Sequence, residues 1–206
     1  MEDRIAEYGA VARERLERFY HAAGVTYPGG YVTLLGIKNE RRLEVYAGLT
    51  RETTAYVRSY PIHGASGVLG PKLREGDHQV PEGIYGIESL NPNSRFHLSL
   101  RVSYPNEFDR RMGARDGRED LGGDIMIHGG AASIGCLAIG DEAAEDLFVL
   151  AADVGIENVA VVLSPADFRA DEIPVLPESV PPWTGELHAT LRSAVERLSR
   201  PPRSGE

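Results

Sequence analysis

One segment of the chain, residues 96–104, constrains the fold more than any other because its apolar residues recur with a period of two. The apolar positions are Phe96, Leu98, Leu100, Val102 and Tyr104. Successive side chains of a β-strand point to opposite faces, so this spacing predicts a strand with one buried face and one polar face. Such a strand needs a neighbouring strand, and the chain is therefore predicted to contain an antiparallel sheet.

Strand-like and helical segments elsewhere fit a mainly β fold with helices at both ends. Further strand-like segments are 31–35, 42–47, 54–60, 83–87, 124–128 and 158–163. Helical spacing predicts helices over 4–23, after Asp141 and over 187–198, with the Asp141 carboxylate as an N-cap. We therefore predict an α+β fold in three parts: an N-terminal helix packed on the core (1–29), a central domain (30–164), and a proline-rich wrap with a C-terminal helix (165–206).

Two long connections, residues 63–81 and 105–123, are polar and rich in glycine. Irregular connections of this length are uncommon in compact domains and often form lids or binding loops. We predict that one of them forms a wall of a substrate groove and is more mobile than the sheet, because such segments have few apolar contacts.

The charge balance and the cysteine count exclude several classes of protein. The 206 residues include 22 Lys and Arg against 31 Asp and Glu, a formal charge of -9, without the basic cluster that would make nucleic acid a partner. Cys136 is the single cysteine, which excludes an internal disulfide and a zinc site of several cysteines. No apolar run reaches the ~20 residues of a membrane-spanning helix, and the first residues do not resemble a secretory signal.

The segment 122–141, GGDIMIHGGAASIGCLAIGD, carries the residues best suited to chemistry. An apolar strand ends at His128, and a glycine-rich loop of small residues leads to Cys136. A thiol attacks as its thiolate, so it needs a nearby base or positive field, and histidine suits that proton transfer near neutral pH. The loop is long enough to bring the two side chains within hydrogen-bonding distance. The amides of Gly135 and Cys136 could then bind an oxyanion.

These residues by themselves leave a second interpretation open. A lone buried cysteine is often an inert apolar side chain, and a histidine at the end of a strand often packs or caps. Glycines are common in any turn, so Gly129, Gly130 and Gly135 do not decide between an active site and a structural loop.

Other candidate sites in the sequence are weaker. Residues 63–67, HGASG, suggest a turn around a nucleophilic Ser66 but lack the glycine two places before the serine. The histidines at 63, 78, 97 and 128 do not have the close spacing of a metal-binding motif, so no metal ligand set is predicted. Lys72, Arg74 and Arg95 are candidates for binding a substrate carboxylate, and His97 is a candidate for lining the cleft. An ordinary surface role is the commoner one for His97 and for at least two of the three cations.

The segment 122–141 resembles the catalytic motif of the L,D-transpeptidase family, the YkuD-like domains. In that motif a strand ends in His-Gly and a loop leads to Ser-x-Gly-Cys; here these are His128-Gly129 and SIGC at 133–136. Segments 70–77 and 81–85 are similar to the family's segment that leads into a Pro-x-Gly strand, and segments 91–100 and 104–106 are similar to its YafK-like murein branch. The resemblance covers roughly residues 31–163.

The resemblance implies a β-sandwich or open-barrel catalytic core and roles for individual residues. Cys136 is implied as the nucleophile, His128 as its base, and the backbone carbonyl of Gly129 as the group that holds the imidazole tautomer. The oxyanion hole is assigned to the amides of Gly135 and Cys136. Substrate binding is assigned to Arg95, His97, Ser133 and Lys72. Two departures suit the YafK-like branch: Ala138 stands where many members have Arg, and the His-to-Cys loop is short.

The leading hypothesis is a cysteine acyl-transfer enzyme that acts on peptidoglycan stem peptides through a thioester and needs no cofactor. One alternative is a hydrolase of the same bond class, either a carboxypeptidase or endopeptidase or an enzyme that releases a protein linked to peptidoglycan. An alternative of another class is a catalytically silent module that binds peptidoglycan or peptides. The resemblance implies the cell envelope or periplasm, whereas the missing signal peptide leaves a trimmed or a cytoplasmic chain open. The oligomeric state is also left open.

Overall fold

The structure is a computed structural model that describes residues 1–170 and 175–201. Its helices are α1 (Glu2–Ala22), α2 (Glu107–Arg115), α3 (Asp141–Val154) and α4 (Thr184–Val195). Its strands are β1 (Tyr31–Ile37), β2 (Arg42–Gly48), β3 (Ala55–Pro61), β4 (Gly83–Ser94), β5 (His97–Val102), β6 (Met126–His128), β7 (Leu137–Ala138) and β8 (Val159–Ser164).

The strands of the described chain form one mixed sheet of eight in the order β3-β2-β1-β8-β4-β5-β6-β7. Most neighbours are antiparallel, whereas β1 with β8 and β6 with β7 are parallel. The long strand β4 joins the two halves of the sheet, since residues 83–86 pair with β8 and residues 87–94 pair with β5. The sheet is an open half-barrel, and β5, β6 and β7 form the end that carries the candidate site.

Apolar side chains cover both faces of the central strands. Leu34 of β1 packs in a core with Leu16 of α1 and Phe148 of α3. Leu35, the next residue along the strand, points to the opposite face and packs in a second core with Leu191 of α4. Burying a leucine side chain fully contributes roughly 1.5–3 kcal/mol, so helices on both sides hold the sheet in place.

The predicted α+β class with an open-barrel core is confirmed. The segment 96–104 contains β5, in which Leu98, Leu100 and Val102 share one buried face as the period of two predicts. The prediction was wrong for Phe96, which lies in the turn between β4 and β5 and is 45% exposed. A residue in a turn is outside the pleat of the strand, so its side chain does not follow the alternation.

Two local expectations are corrected by the helices. The connection 105–123 is not irregular throughout, because it contains α2, which begins where the Asn106 side chain accepts a hydrogen bond from the Asp109 amide. The carboxylate of Asp141 does not cap α3. The N-cap is Gly140, and the Asp141 carboxylate instead accepts a hydrogen bond from the amide of Gly130.

The predicted proline-rich wrap forms turns, without a helix or strand, over its described residues 165–170 and 175–182. Residues 171–174 of the wrap and residues 202–206 at the end of the chain lie outside the described residues. No helix in the described ranges is long and apolar enough to cross a membrane.

Candidate active site

The pairing of β6 with β7 brings His128 and Cys136 to the same face of the sheet. The strands are parallel, with Ile127 opposite Leu137. Cys136 immediately precedes β7 and is therefore level with Met126, two residues before His128. Side chains alternate along both strands. Ile127 and Leu137 therefore point into the core that α1 and α3 cover, while the thiol and the imidazole lie on the other face.

The thiol of Cys136 makes its hydrogen bonds with backbone groups. The Met126 amide donates to Sγ at 3.3 Å, and the thiol donates to the carbonyl oxygen of Asp124 at 3.5 Å. Within residues 1–170 and 175–201, Sγ forms no hydrogen bond with the imidazole. Burial raises the pKa of the Cys136 thiol, with Asp124 adding to the shift and the Met126 amide and Lys72 opposing it. The resting thiol is therefore protonated at neutral pH, because burial outweighs the effects of the Met126 amide and Lys72.

The imidazole of His128 is buried and held by its neighbour in sequence. Its Nδ1 lies 2.6 Å from the carbonyl oxygen of Gly129, which accepts a hydrogen bond only if Nδ1 carries the proton. Nε2 is then the basic nitrogen. Burial lowers the pKa of His128, and the contact with the Gly129 carbonyl opposes that shift only in part. The side chain is 2% exposed, so a neutral base with a defined tautomer faces the site.

The turn after His128 is fixed by the carboxylate of Asp141 at the start of α3. Asp141 Oδ1 accepts a hydrogen bond from the Gly130 amide at 2.8 Å. A Cβ at Gly129 would lie 2.5 Å from that oxygen and 2.7 Å from the carbonyl oxygen of Phe96. No side chain fits there, so the glycine after the histidine is required by packing. The same packing holds the carbonyl that orients the imidazole.

Both amides assigned to the oxyanion hole donate to serine hydroxyls. The amide of Gly135 donates to Ser66 Oγ at 2.7 Å, and the amide of Cys136 donates to Ser133 Oγ at 3.0 Å. Gly135 has φ +85, a conformation that glycine adopts without the penalty of a Cβ. An oxyanion at either amide would therefore have to share or replace a hydroxyl partner.

Comparison with models of protein families shows which family the chain belongs to. The model described as "L,D-transpeptidase catalytic domain", YkuD, matches residues 35–161, which is more than half of the chain. The chain belongs to the L,D-transpeptidase family. The match includes all eight residues from His128 to Gly135 and the cysteine that follows them.

Named relatives of this L,D-transpeptidase-family chain agree with that assignment. YafK of Escherichia coli K12, whose name places it among the L,D-transpeptidases, is 36% identical over 122 residues, covering 58% of this chain and 47% of the relative. YafK of Escherichia coli O157:H7 matches to the same extent. The chain spans about half the length of these curated relatives.

A solved structure shows the same fold. The helical cell shape determining protein Pgp2 from Campylobacter jejuni has a TM-score of 0.52 and 22% identity, over 73% of this chain and 52% of that chain. Its K307A variant gives a TM-score of 0.52 and 21% identity. The comparison therefore supports the arrangement of strands and helices in this L,D-transpeptidase-family domain.

The residues assigned to substrate binding have different surroundings. Lys72 is buried, and its Nζ binds Asp77 Oδ1 at 2.6 Å and the Arg74 carbonyl at 2.8 Å. Ser133 uses its hydroxyl to hold the Cys136 amide. Both side chains therefore make internal contacts, and a direct role for either in binding substrate stays a prediction.

The other two candidates lie at the turn between β4 and β5. His97 has φ +72, and its Nε2 lies 3.0 Å from Glu145 Oε1, while the ring of Tyr8 packs against its edge with centroids 5.0 Å apart. Arg95 is exposed. Its role in binding substrate stays a prediction.

The remaining candidate residues from the sequence, His63 and Ser66, make structural contacts. The ring of His63 lies beside Gly140, where a Cβ would be 3.3 Å from Nε2. The hydroxyl of Ser66 donates to the carbonyl oxygen of His78, a group that does not act as a base, so among the described contacts Ser66 has no base that would make it a nucleophile. In the described ranges, no group of three or more His, Cys, Asp or Glu is arranged to hold a metal ion.

Three residues at the site were missed by sequence reasoning. Phe96 stacks on the His128 ring, Asp141 holds the turn after it, and Ser66 holds Gly135. The sequence predicted other roles for them: Phe96 as a core residue, Asp141 as a helix cap, and Ser66 as part of an incomplete nucleophile motif. These contacts join residues that lie between 11 and 69 positions apart, and no local period reports such contacts.

Proposed function

We propose that this protein is a cysteine acyltransferase that acts on peptidoglycan stem peptides, as an L,D-transpeptidase. The observation that carries the proposal is the placement of Cys136 and the neutral, oriented imidazole of His128 on one face of paired strands. The family assignment supports the substrate class. In this proposal the protein acts in the cell envelope on the cell wall, and a part in cell shape is consistent with the name of the Pgp2 neighbour.

The first half of the proposed reaction forms a thioester. Sγ of Cys136 attacks the carbonyl carbon of a third residue of the meso-diaminopimelate type while Nε2 of His128 takes the thiol proton. The tetrahedral intermediate collapses as the bond to the following residue breaks. The leaving amine takes the proton from His128, so the protein returns to a neutral imidazole with the acyl group on sulfur.

The second half of the reaction transfers the acyl group. An acceptor amine attacks the thioester carbonyl, His128 takes its proton, and the thiolate leaves and is protonated. Water in place of the amine gives hydrolysis through the same thioester. Hydrolysis is the second candidate because Ala138, where many family members have Arg, is buried and paired with Gly64, so this position offers no cation to an acceptor.

Intact-protein mass spectrometry with defined tetrapeptide and pentapeptide muropeptides tests the proposal. We expect an adduct of the donor acyl mass on the wild-type chain and none on Cys136→Ala. Cross-linked dimer among the products indicates transpeptidation, and trimmed monomer indicates hydrolysis. Binding of the muropeptide without an adduct or product would instead support a silent binding module and contradict the proposal.

A further inference from the structure

The hydroxyl of Ser66 joins three segments that meet at the nucleophile. Its Oγ accepts a hydrogen bond from the Gly135 amide at 2.7 Å and donates one to the His78 carbonyl at 2.6 Å. A Cβ added at Gly135 would lie 3.9 Å from the Gln79 carbonyl oxygen, so the backbone before Cys136 lies close to the backbone at 78–79. One hydroxyl therefore connects the residue before the nucleophile to both ends of the connection 63–81.

The backbone that carries Ser66 is paired with the strand that follows the nucleophile. The His63 amide donates to the Ala138 carbonyl at 2.8 Å, and the Ala138 amide donates to the Gly64 carbonyl at 2.9 Å. A Cβ at Gly64 would collide with the carbonyl oxygen of Ala131. Residues 63–64 are thus held against the edge of the sheet, and Ser66 follows at a fixed distance from them.

The segment that follows Ser66, residues 67–70, is held by the side chain of Gln79. Its Oε1 accepts from the Val68 amide at 2.9 Å, and its Nε2 donates to the Gly70 carbonyl at 2.8 Å. Gln79 is 7% exposed, and a Cβ at Gly67 would collide with it. The backbone is therefore held both before and after Ser66, at residues 63–64 and 68–70.

We propose that Ser66 is a positioning residue for the acylation step of the proposed function, on which this inference rests. By holding the Gly135 amide, the hydroxyl fixes the peptide plane between Ile134 and Gly135, one residue before Cys136. It thereby restricts the backbone that carries Cys136 and the direction from which Sγ meets a bound carbonyl. Attack on a carbonyl depends strongly on this direction, and a displacement of about 1 Å can cost roughly 100-fold in rate. Alkylation by a small diffusing reagent has no bound geometry to satisfy and forms no oxyanion.

The experiment compares two reactions of the same thiol in Ser66→Ala, Ser66→Thr and wild type. Acylation is followed by intact mass with a tetrapeptide muropeptide and, separately, with a carbapenem, whose carbonyl also passes through an oxyanion. Alkylation is followed with iodoacetamide. Ser193→Ala, which removes an exposed hydroxyl from α4, is the matched control, and the melting temperature of each variant is measured.

We expect Ser66→Ala to acylate at least tenfold more slowly with both reagents while its alkylation rate stays within about threefold of wild type. Ser66→Thr keeps the hydroxyl and should recover most of the acylation rate. A merely structural role would lower the melting temperature and change both reactions together, which would overturn the inference.

Other outcomes separate the inference from the function. Normal acylation of Ser66→Ala overturns the inference alone. Faster acylation also overturns it, because the hydroxyl would then be a competitor for the Gly135 amide. If the muropeptide does not acylate the wild type but the carbapenem does, the substrate assignment fails and the carbapenem reaction still decides the role of Ser66. If neither reagent acylates the wild type, both proposals are wrong.

Discussion

The ring of Phe96 stacks on the imidazole of His128, with centroids 4.7 Å apart and 28° between the planes. Phe96 comes from the turn between β4 and β5, whereas His128 ends β6. The phenyl ring is 45% exposed and covers one face of the base. It therefore contributes to the burial that lowers the pKa of His128.

Replacing Phe96 by Ala should expose the imidazole and raise the pKa of His128 toward its usual value, since loss of burial favours the charged form. In the plot of acylation rate against pH, the acid limb should move to higher pH by as much as the pKa of His128 rises. Acylation should fall by a few-fold to about tenfold, as stacked aromatic pairs contribute about 0.5–1.5 kcal/mol. The profile is measured by rapid-quench mass spectrometry, with Leu49→Ala, an exposed apolar residue elsewhere, as the control. An unchanged acid limb would show that the ring does not tune the base.

Replacing Cys136 by Ala should abolish turnover without unfolding the chain, because only one sulfur is lost and no other cysteine exists. His128→Ala should be nearly as inactive, since no second imidazole is placed to take the thiol proton in the described site. Turnover of muropeptides and circular dichroism of each variant are the measurements. If Cys136→Ala retained a tenth of the wild-type rate, a loss of only ~1.4 kcal/mol in the barrier, the cysteine would not be the nucleophile.

The pH dependence of alkylation should report a protonated resting thiol. Burial raises the pKa of Cys136 above that of an ordinary thiol, about 8.5, so little thiolate is present at neutral pH. The rate with iodoacetamide should rise about tenfold per pH unit from pH 7 to 8 and be slower at pH 7 than that of glutathione. Substrate acylation should already be efficient at pH 7, because neutral His128 takes the proton during attack. A flat alkylation rate from pH 6 to 8 would indicate a thiolate–imidazolium pair instead.

Asp141→Ala should slow acylation by roughly tenfold, because the turn that presents the Gly129 carbonyl to His128 loses its hydrogen bond. Asp141→Asn keeps an oxygen acceptor and should recover most of the rate. Glu142→Ala is the matched control, since both acids lie in the first turn of α3 and interact alike with the helix dipole. Equal losses in Asp141→Ala and Glu142→Ala would assign the effect to the helix and not to the turn.

The buried pair of Lys38 and Glu82 should matter for stability. Nζ of Lys38 lies 2.9 Å from Oε1 of Glu82, whose side chain is 0% exposed and also binds His188. Lys38→Met leaves that carboxylate without its cation and should lower the free energy of unfolding by about 3–5 kcal/mol. Arg111→Ala, which breaks an exposed pair with Glu186, should cost less than about 1 kcal/mol. Urea titrations of both variants at pH 7 provide the comparison.

The same pair predicts acid lability. Burial alone raises the pKa of Glu82, but hydrogen bonds from His188, Lys38 and the Gly70 amide outweigh it, so the folded pKa lies below the usual value. A lowered carboxylate pKa adds stability that is present above the unfolded pKa of about 4.3 and is lost as the pH falls through the folded value. The free energy of unfolding should therefore decrease below about pH 4, and less steeply in Glu82→Gln. Parallel slopes would show that other carboxylates cause the loss.

Much of the fold could be predicted from the sequence because periods are local properties. The period of two placed Leu98, Leu100 and Val102 on one buried face, and this was confirmed. The helical stripe of α1 was visible in the same way. The pattern could not show that Phe96 leaves the strand, since the turn between β4 and β5 depends on where those strands stop pairing.

By itself, the sequence determined the class of fold, the family motif and the identity of the thiol and imidazole, because these depend on residue types and short spacings. Only the tertiary structure decided what surrounds them. Ser66 and Gly135 are 69 residues apart and meet because the connection 63–81 pairs with β7. Long-range contacts of this kind follow from strand register and the packing of loops at the sheet edge, and no periodicity in the chain encodes them.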